Sequence, residues 1–129
     1  MKLSLTKISS NNAPQPIGPY SQAIKMNNLL FISGQIAIHP KTGELVMNHI
    51  EEETKLVMEN IKNILLASDC TFNDVLKCSI FLSNMDDFDA VNKIYGQYFS
   101  DPYPARETIE VKKLPKNVNV EISAIAMCK

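Results

Sequence analysis

The run Val118–Met127, "VNVEISAIAM", sorts its residues by alternation. Val118, Val120, Ile122, Ala124 and Ala126 share one side, while Asn119, Glu121, Ser123 and Ile125 share the other. Successive side chains of a strand point to opposite faces, so this pattern predicts a strand with one apolar face. "VLKCSIFL" (Val75–Leu82) repeats it, with Leu76, Cys78, Ile80 and Leu82 opposed to Val75, Lys77, Ser79 and Phe81. Two strands of this kind need a layer to lie on their apolar side.

Two amphipathic segments supply that layer. From Ile50 to Ala67, Val57, Met58, Ile61, Ile64 and Leu65 recur at helical spacing, and Glu51, Glu52, Lys55, Glu59 and Lys62 take the opposite side. Asn48 followed by Glu51 has the spacing of a capping box. A second helix is predicted from Met85 to Phe99, with Phe88, Val91, Tyr95 and Phe99 along its stripe. Asn92 interrupts that stripe. A buried amide needs a hydrogen-bond partner, and a backbone group at a strand end is the ordinary one.

"LLFIS" (Leu29–Ser33) before Gly34 suits a short buried strand, and "RETIEV" (Arg106–Val111) alternates like another. Ser9–Pro19 and "HPKTGEL" (His39–Leu45) read as loops. "PQPIGP" stiffens the first loop with three prolines just before "GPYSQA", which presents Tyr20. The tyrosine either packs over a sheet edge or stands at the mouth of a site. The expected architecture is a single α+β domain, 1–129, with both helices on one side of a mixed sheet.

Composition removes several function classes. A formal charge of −1 and a pI near 6.1 leave no basic footprint for nucleic acid, and Lys112, Lys113 and Lys116 belong to a turn. The three cysteines, Cys70, Cys78 and Cys128, are odd in number and lack CxxC spacing, so neither a disulfide framework nor a zinc site is expected. Cys78 reads as a small buried hydrophobe. His39 and His49 have no acidic cluster between them and make a poor metal site. The apolar runs are too short to cross a bilayer and the N-terminus lacks a signal-peptide core, so a cytoplasmic setting is the default.

With the helices on one face, the last two strands leave Arg106, Thr108, Glu110, Glu121 and Ser123 on the other. A hairpin centred between Leu114 and Pro115 sets Thr108 opposite Glu121 and Arg106 opposite Ser123, making one cluster of Arg106, Thr108 and Glu121. The cluster is either a surface salt bridge or a site. As a site, the guanidinium fork suits a carboxylate and Glu121 suits the orientation or deprotonation of a water. Ser33 and Thr108 add hydroxyls, and Gly34 permits close backbone approach. No cysteine–histidine or serine–histidine couple is available for acyl chemistry, and no phosphate loop is present.

"GPYSQA", "FISGQIAIHPKTGEL", "FLSNMDDFDAVNKIY", "YPARETIEV" and "LPKNVNVEISAIA" together resemble the YjgF/Rid family of reactive-intermediate deaminases. The resemblance runs in order from about Ile17 to Met127. It implies a chorismate-mutase-like fold, a homotrimer with a ligand cleft at each subunit interface, and no cofactor. It also implies hydrolysis of 2-imino and enamine acids, such as 2-iminobutanoate and 2-iminopropanoate, to 2-oxo acids and ammonia.

By this resemblance Arg106 clamps the substrate carboxylate and Glu121 is linked to the hydrolytic water. Tyr20, Ser33, Gly34 and Asn92 line the cleft. Thr108 stands where the family commonly has cysteine, and Glu107 stands where a small residue is frequent. Imine hydrolysis needs a water and no protein nucleophile, so Thr108 is compatible with activity, with altered substrate preference as its expected effect. Glu107 is expected on the opposite face from Arg106. Two alternatives stand beside this reading: a non-catalytic binding or chaperone-like module that senses 2-oxo acids in the same cleft, and an endoribonuclease that inhibits translation, an activity also attributed to the family. The missing histidine pair and the charge balance argue against the latter.

Overall fold

In the computed structural model, which describes residues 4–129, the Val118–Met127 alternation becomes β6 (Val120–Met127) at the heart of a six-stranded sheet. The first three residues of the expected 1–129 domain lie outside the described residues. In chain order the elements are β1 (Leu5–Ile8), β2 (Ala23–Met26), β3 (Leu29–Gln35), α1 (Ile50–Leu66), β4 (Val75–Leu82), α2 (Phe88–Gly96), β5 (Ala105–Glu110) and β6. The strand order is β1-β2-β3-β6-β4-β5. Among the described residues only the β4–β5 pair is parallel, so the sheet is mixed and the fold is the expected α+β arrangement.

Both helices contribute to a core on one side of the sheet. Val120, Ile122, Ala124 and Ala126 of β6 and Cys78, Ile80 and Leu82 of β4 pack with Val57, Met58, Ile61, Ile64 and Leu65 of α1 and Val91 and Tyr95 of α2. Burying a side chain of this size contributes about 1.5–3 kcal/mol, so this face supplies most of the driving force for the layer. The free thiol of Cys78 is buried as expected, and burial pushes it up to about 11. A second, smaller apolar cluster joins Ile36, Ile38, Leu114 and Val118 around the ends of β3 and β6.

The structure corrects several sequence readings. β5 and β6 do not form a hairpin: β4 lies between them, antiparallel to β6 and parallel to β5. An irregularity between Val75 and Lys77 buries Val75 and leaves Leu76 exposed, reversing the expected start of β4. No Asn48–Glu51 capping box forms, because α1 begins one residue later, with His49 at its N-cap and no side-chain cap. The second helix is shorter than Met85–Phe99. It opens as a 3₁₀ turn, Met85–Asp87, capped by the Asn84 side chain, and α2 proper ends at Gly96.

β1 was not anticipated. Its three leading residues are exposed, so it carries no apolar alternation. Cys70 and Cys128 form a disulfide with their Cα atoms 5.4 Å apart, against the expectation from cysteine count and spacing. The fold places the turn after α1 beside the end of β6, a proximity that 58 residues of separation conceal. The His39–Leu45 loop is as expected: Gly43 adopts φ +75, and the His39 Nδ1 accepts from the amides of Lys41 and Thr42.

Candidate functional site

β3 and β6 build the first group of site residues. The β3–β6 register slips between Ile32 and Gln35, which sets Ser33 and Gly34 out of the regular ladder beside Glu121. A methyl group added at Gly34 would lie 2.5 Å from Glu121 Oε2, so the carboxylate rests directly on the glycine. Burial pushes the Glu121 carboxyl above its ordinary value of 4.5. The Ser33 hydroxyl donates to the Ser21 carbonyl at 2.6 Å, and the Ser33 amide donates to the Gln22 carbonyl at 2.9 Å.

Those bonds tie β3 to the loop that carries Tyr20. Gln22 is buried and acts as the clamp of that loop. Its Oε1 accepts from the Ser10 amide at 2.6 Å, and its Nε2 donates to the Pro14 carbonyl at 2.8 Å and to the Ser10 carbonyl at 3.1 Å. The clamp fixes the Ser10–Pro14 stretch, and the prolines at 14, 16 and 19 restrict the backbone on to Tyr20. Tyr20 is 48% exposed, with part of its ring against Gly18. Its phenol oxygen accepts from the Ile17 amide at 3.3 Å, and Ile17, Tyr20, Ser33, Gly34, Pro115 and Glu121 line one cavity.

β5 and α2 build the second group. Cys78 pairs with Arg106 and Ile80 with Thr108, so both β5 side chains stand on the helix side of the sheet. Arg106 Nη1 donates to Asn92 Oδ1 at 2.6 Å, and its guanidinium carbon lies 5.6 Å from the Phe88 ring centre and 5.1 Å from that of Tyr95. Asn92 therefore interrupts the apolar stripe to hold an arginine, instead of the backbone group that amides of this kind ordinarily bond. The contacts to two aromatic rings add cation–π attraction. Arg106, Asn92, Tyr95, Gly96, Tyr103 and Pro104 line a second cavity. The Thr108 hydroxyl is buried with no hydrogen-bond partner.

One chain thus does not bring together the residues that the hairpin reading clustered. Glu121 pairs with Phe81 and points to the open side of the sheet, whereas Arg106 and Thr108 point to the helix side. Glu107 points away from Arg106, as expected, and reaches Ser79 and Lys77, the latter at 3.1 Å. Sequence reasoning missed Gln22 as a clamp and Tyr103, Pro104 and Pro115 as lining residues. Their only signal was position, inside or beside the quoted motifs.

The family model described as Endoribonuclease L-PSP matches residues 10–128. The crystal structure of a Yersinia pestis protein of the conserved Rid family has a TM-score of 0.93 and 46% identity, covering 96% of this chain and 99% of that one. The chain belongs to the YjgF/Rid family. Among its Rid relatives, a RutC family protein of Pyrococcus horikoshii is 54% identical over 92% of this chain and 94% of its own. A protein of Dermatophagoides farinae named 2-iminobutanoate/2-iminopropanoate deaminase is 43% identical over 93% of this chain and 94% of its own.

Proposed function

We propose that the protein is a hydrolytic deaminase of 2-imino and enamine acids, releasing the 2-oxo acid and ammonia. The observation that carries this reading is the Arg106 guanidinium, held by Asn92 and two aromatic rings at the wall of a cavity. Asn92 takes one donor of a fork that has five, and the remaining donors suit a substrate carboxylate in bidentate contact. The name of the mite relative agrees with it.

In the proposed reaction an enamine first tautomerises to the imine. Water then adds to C2 of the imino acid; the Glu121 carboxylate accepts the water's proton and returns it to the nitrogen, giving the neutral amino alcohol. Glu121 then takes the hydroxyl proton and delivers it to the nitrogen as the C–N bond breaks, so that ammonia leaves, the C2 carbonyl forms and the carboxylate is regenerated. Glu121 serves as general base because its raised pKa brings it toward the working pH while leaving the carboxylate form accessible. Tyr20 orients the water or the nitrogen, Ser33 and Gly34 shape the pocket around C2, and Thr108 borders the carboxylate end. No step calls on a cofactor.

Because Arg106 and Glu121 face opposite sides of the sheet, a complete site needs two copies of the chain. The open sheet face exposes Phe31, Ile109 and Met127, and an exposed apolar face of this kind supports association. We read the assembly as a closed homotrimer with a cleft at each interface, working in the cytoplasm. Among the described residues no helix is long and apolar enough to cross a membrane.

The test is to generate 2-iminobutanoate with a pyridoxal-phosphate-dependent dehydratase and follow 2-oxobutanoate and ammonia. Wild-type protein should accelerate imine loss, and R106A should lose on the order of 30- to 1,000-fold in kcat/KM, the cost of a charged bidentate contact. R106A turnover equal to wild type would remove the carboxylate clamp from the mechanism.

A further inference from the structure

Glu53 sits in the first turn of α1 and is fully buried, whereas its neighbours Glu51 and Glu52 are exposed. Its Oε2 accepts from the Asn119 amide at 2.8 Å and the Val120 amide at 3.3 Å, and its Oε1 accepts from Asn119 Nδ2 at 2.8 Å. A buried carboxylate is costly unless it is hydrogen-bonded, and these three donors, with the positive end of the α1 dipole, meet that cost. The arrangement lies outside both cavities.

Its location on β6 gives it a role. The β3–β6 pairing ends at Gln35–Ile122. Beyond it, the amides of Val120, the first residue of β6, and of Asn119 just before the strand donate to the Glu53 carboxylate. On the other edge, Ser83 donates its amide to the Asn119 carbonyl at 3.0 Å and its hydroxyl to Asn119 Oδ1 at 3.3 Å. Asn119 is thereby fixed on both sides, and Glu121 follows two residues later.

The Glu121 carboxylate lies over Gly34, close enough that an added methyl there would meet its Oε2 at 2.5 Å. A shift of the β6 entry therefore moves the carboxylate relative to the β3 backbone. We infer that Glu53 is a positioning residue that, through Asn119 and Val120, sets where the Glu121 carboxylate stands in the catalytic cavity. The role in turnover rests on the deaminase reading; the positioning itself does not.

Two variants separate position from charge. Glu53→Gln keeps the length and one acceptor oxygen for the two backbone amides while removing the charge. Glu53→Asp keeps the charge and withdraws the acceptor by one methylene. The readouts are a ¹³C NMR titration of the Glu121 carboxyl, kcat and KM in the 2-iminobutanoate assay, and Tm. In E53D the Glu121 titration should move from its wild-type position and kcat should fall on the order of 100-fold with KM nearly unchanged, the scale of a misplaced catalytic group. E53Q should restore most of kcat.

A folded E53D with wild-type Glu121 titration and wild-type kcat overturns the proposal. So does an E53Q as impaired as E53D, because charge would then matter and position would not. If E53D fails to fold, Asn119→Ala carries the test. It removes one contact to Glu53 and one to Ser83, should lower kcat several-fold, and overturns the proposal if the Glu121 titration is unmoved. If wild-type protein hydrolyses no imine, the deaminase reading fails, and the NMR titrations still decide the role of Glu53.

Discussion

Arg106 and Asn92 are joined by a 2.6 Å hydrogen bond between the last helix and the edge strand of the sheet. The contact orients a guanidinium that two rings already flank, so its loss should affect binding more than folding. Asn92→Ala should raise KM for 2-iminobutanoate about 10- to 100-fold, the worth of a hydrogen bond to a charged group, with a smaller change in kcat. Steady-state kinetics beside a thermal melt check this; a large fall in Tm with unchanged KM contradicts it.

The acid limb of the kcat/KM profile should lie above 4.5, since burial raises the Glu121 carboxyl and the carboxylate is the working form. The effect on stability runs the other way. A folded-state pKa raised above the unfolded one means that the folded protein favours the protonated acid. The resulting stabilisation is full below the unfolded pKa and is lost as pH rises through the folded pKa. Glu121→Gln should therefore raise Tm at neutral pH while lowering kcat about 10²- to 10⁴-fold. Melting curves at pH 7 and at pH 4, with kinetics at pH 7, test both signs.

Gly34→Ala should fold and fail to turn over. Its new methyl meets only side-chain atoms of Glu121, from Oε2 at 2.5 Å to Cγ at 3.0 Å, and no backbone, so the strain is relieved by a change of the Glu121 rotamer. The displacement should reduce kcat on the order of 100-fold with Tm nearly unchanged. A variant with wild-type kcat would show that the carboxylate works from another position.

Reduction should destabilise the chain markedly. The Cys70–Cys128 disulfide spans 58 residues, which in the chain-entropy account contributes roughly 4 kcal/mol. Denaturant melts with and without a strong reductant, and Cys128→Ser, should agree on that loss. In unfolded protein, thiol counting should give one free sulfhydryl before reduction and three after.

The alternation in β4 and β6 made the layer legible, because period two fixes which residues share a face whatever the partner strand. It did not fix the partners. β5 returns parallel to β4, so its Arg106 face joins Cys78 and Ile80 under the helices. A hairpin assumption moved the same residues next to Glu121. Asn92 was legible as an anomaly, and its arginine partner was not, since their contact depends on where β5 docks. Gln22 and Glu53 were invisible for a related reason: each serves backbone groups, which leave no mark in side-chain pattern.

The placement of Arg106 and Glu121 on opposite sides of one sheet has a genetic reading. If each cleft draws its arginine from one copy and its glutamate from the next, R106A and E121Q are separately inactive, yet their mixed assemblies contain clefts with both residues intact. Two dead alleles expressed together would then complement each other, whereas a single chain carrying both changes would rescue neither.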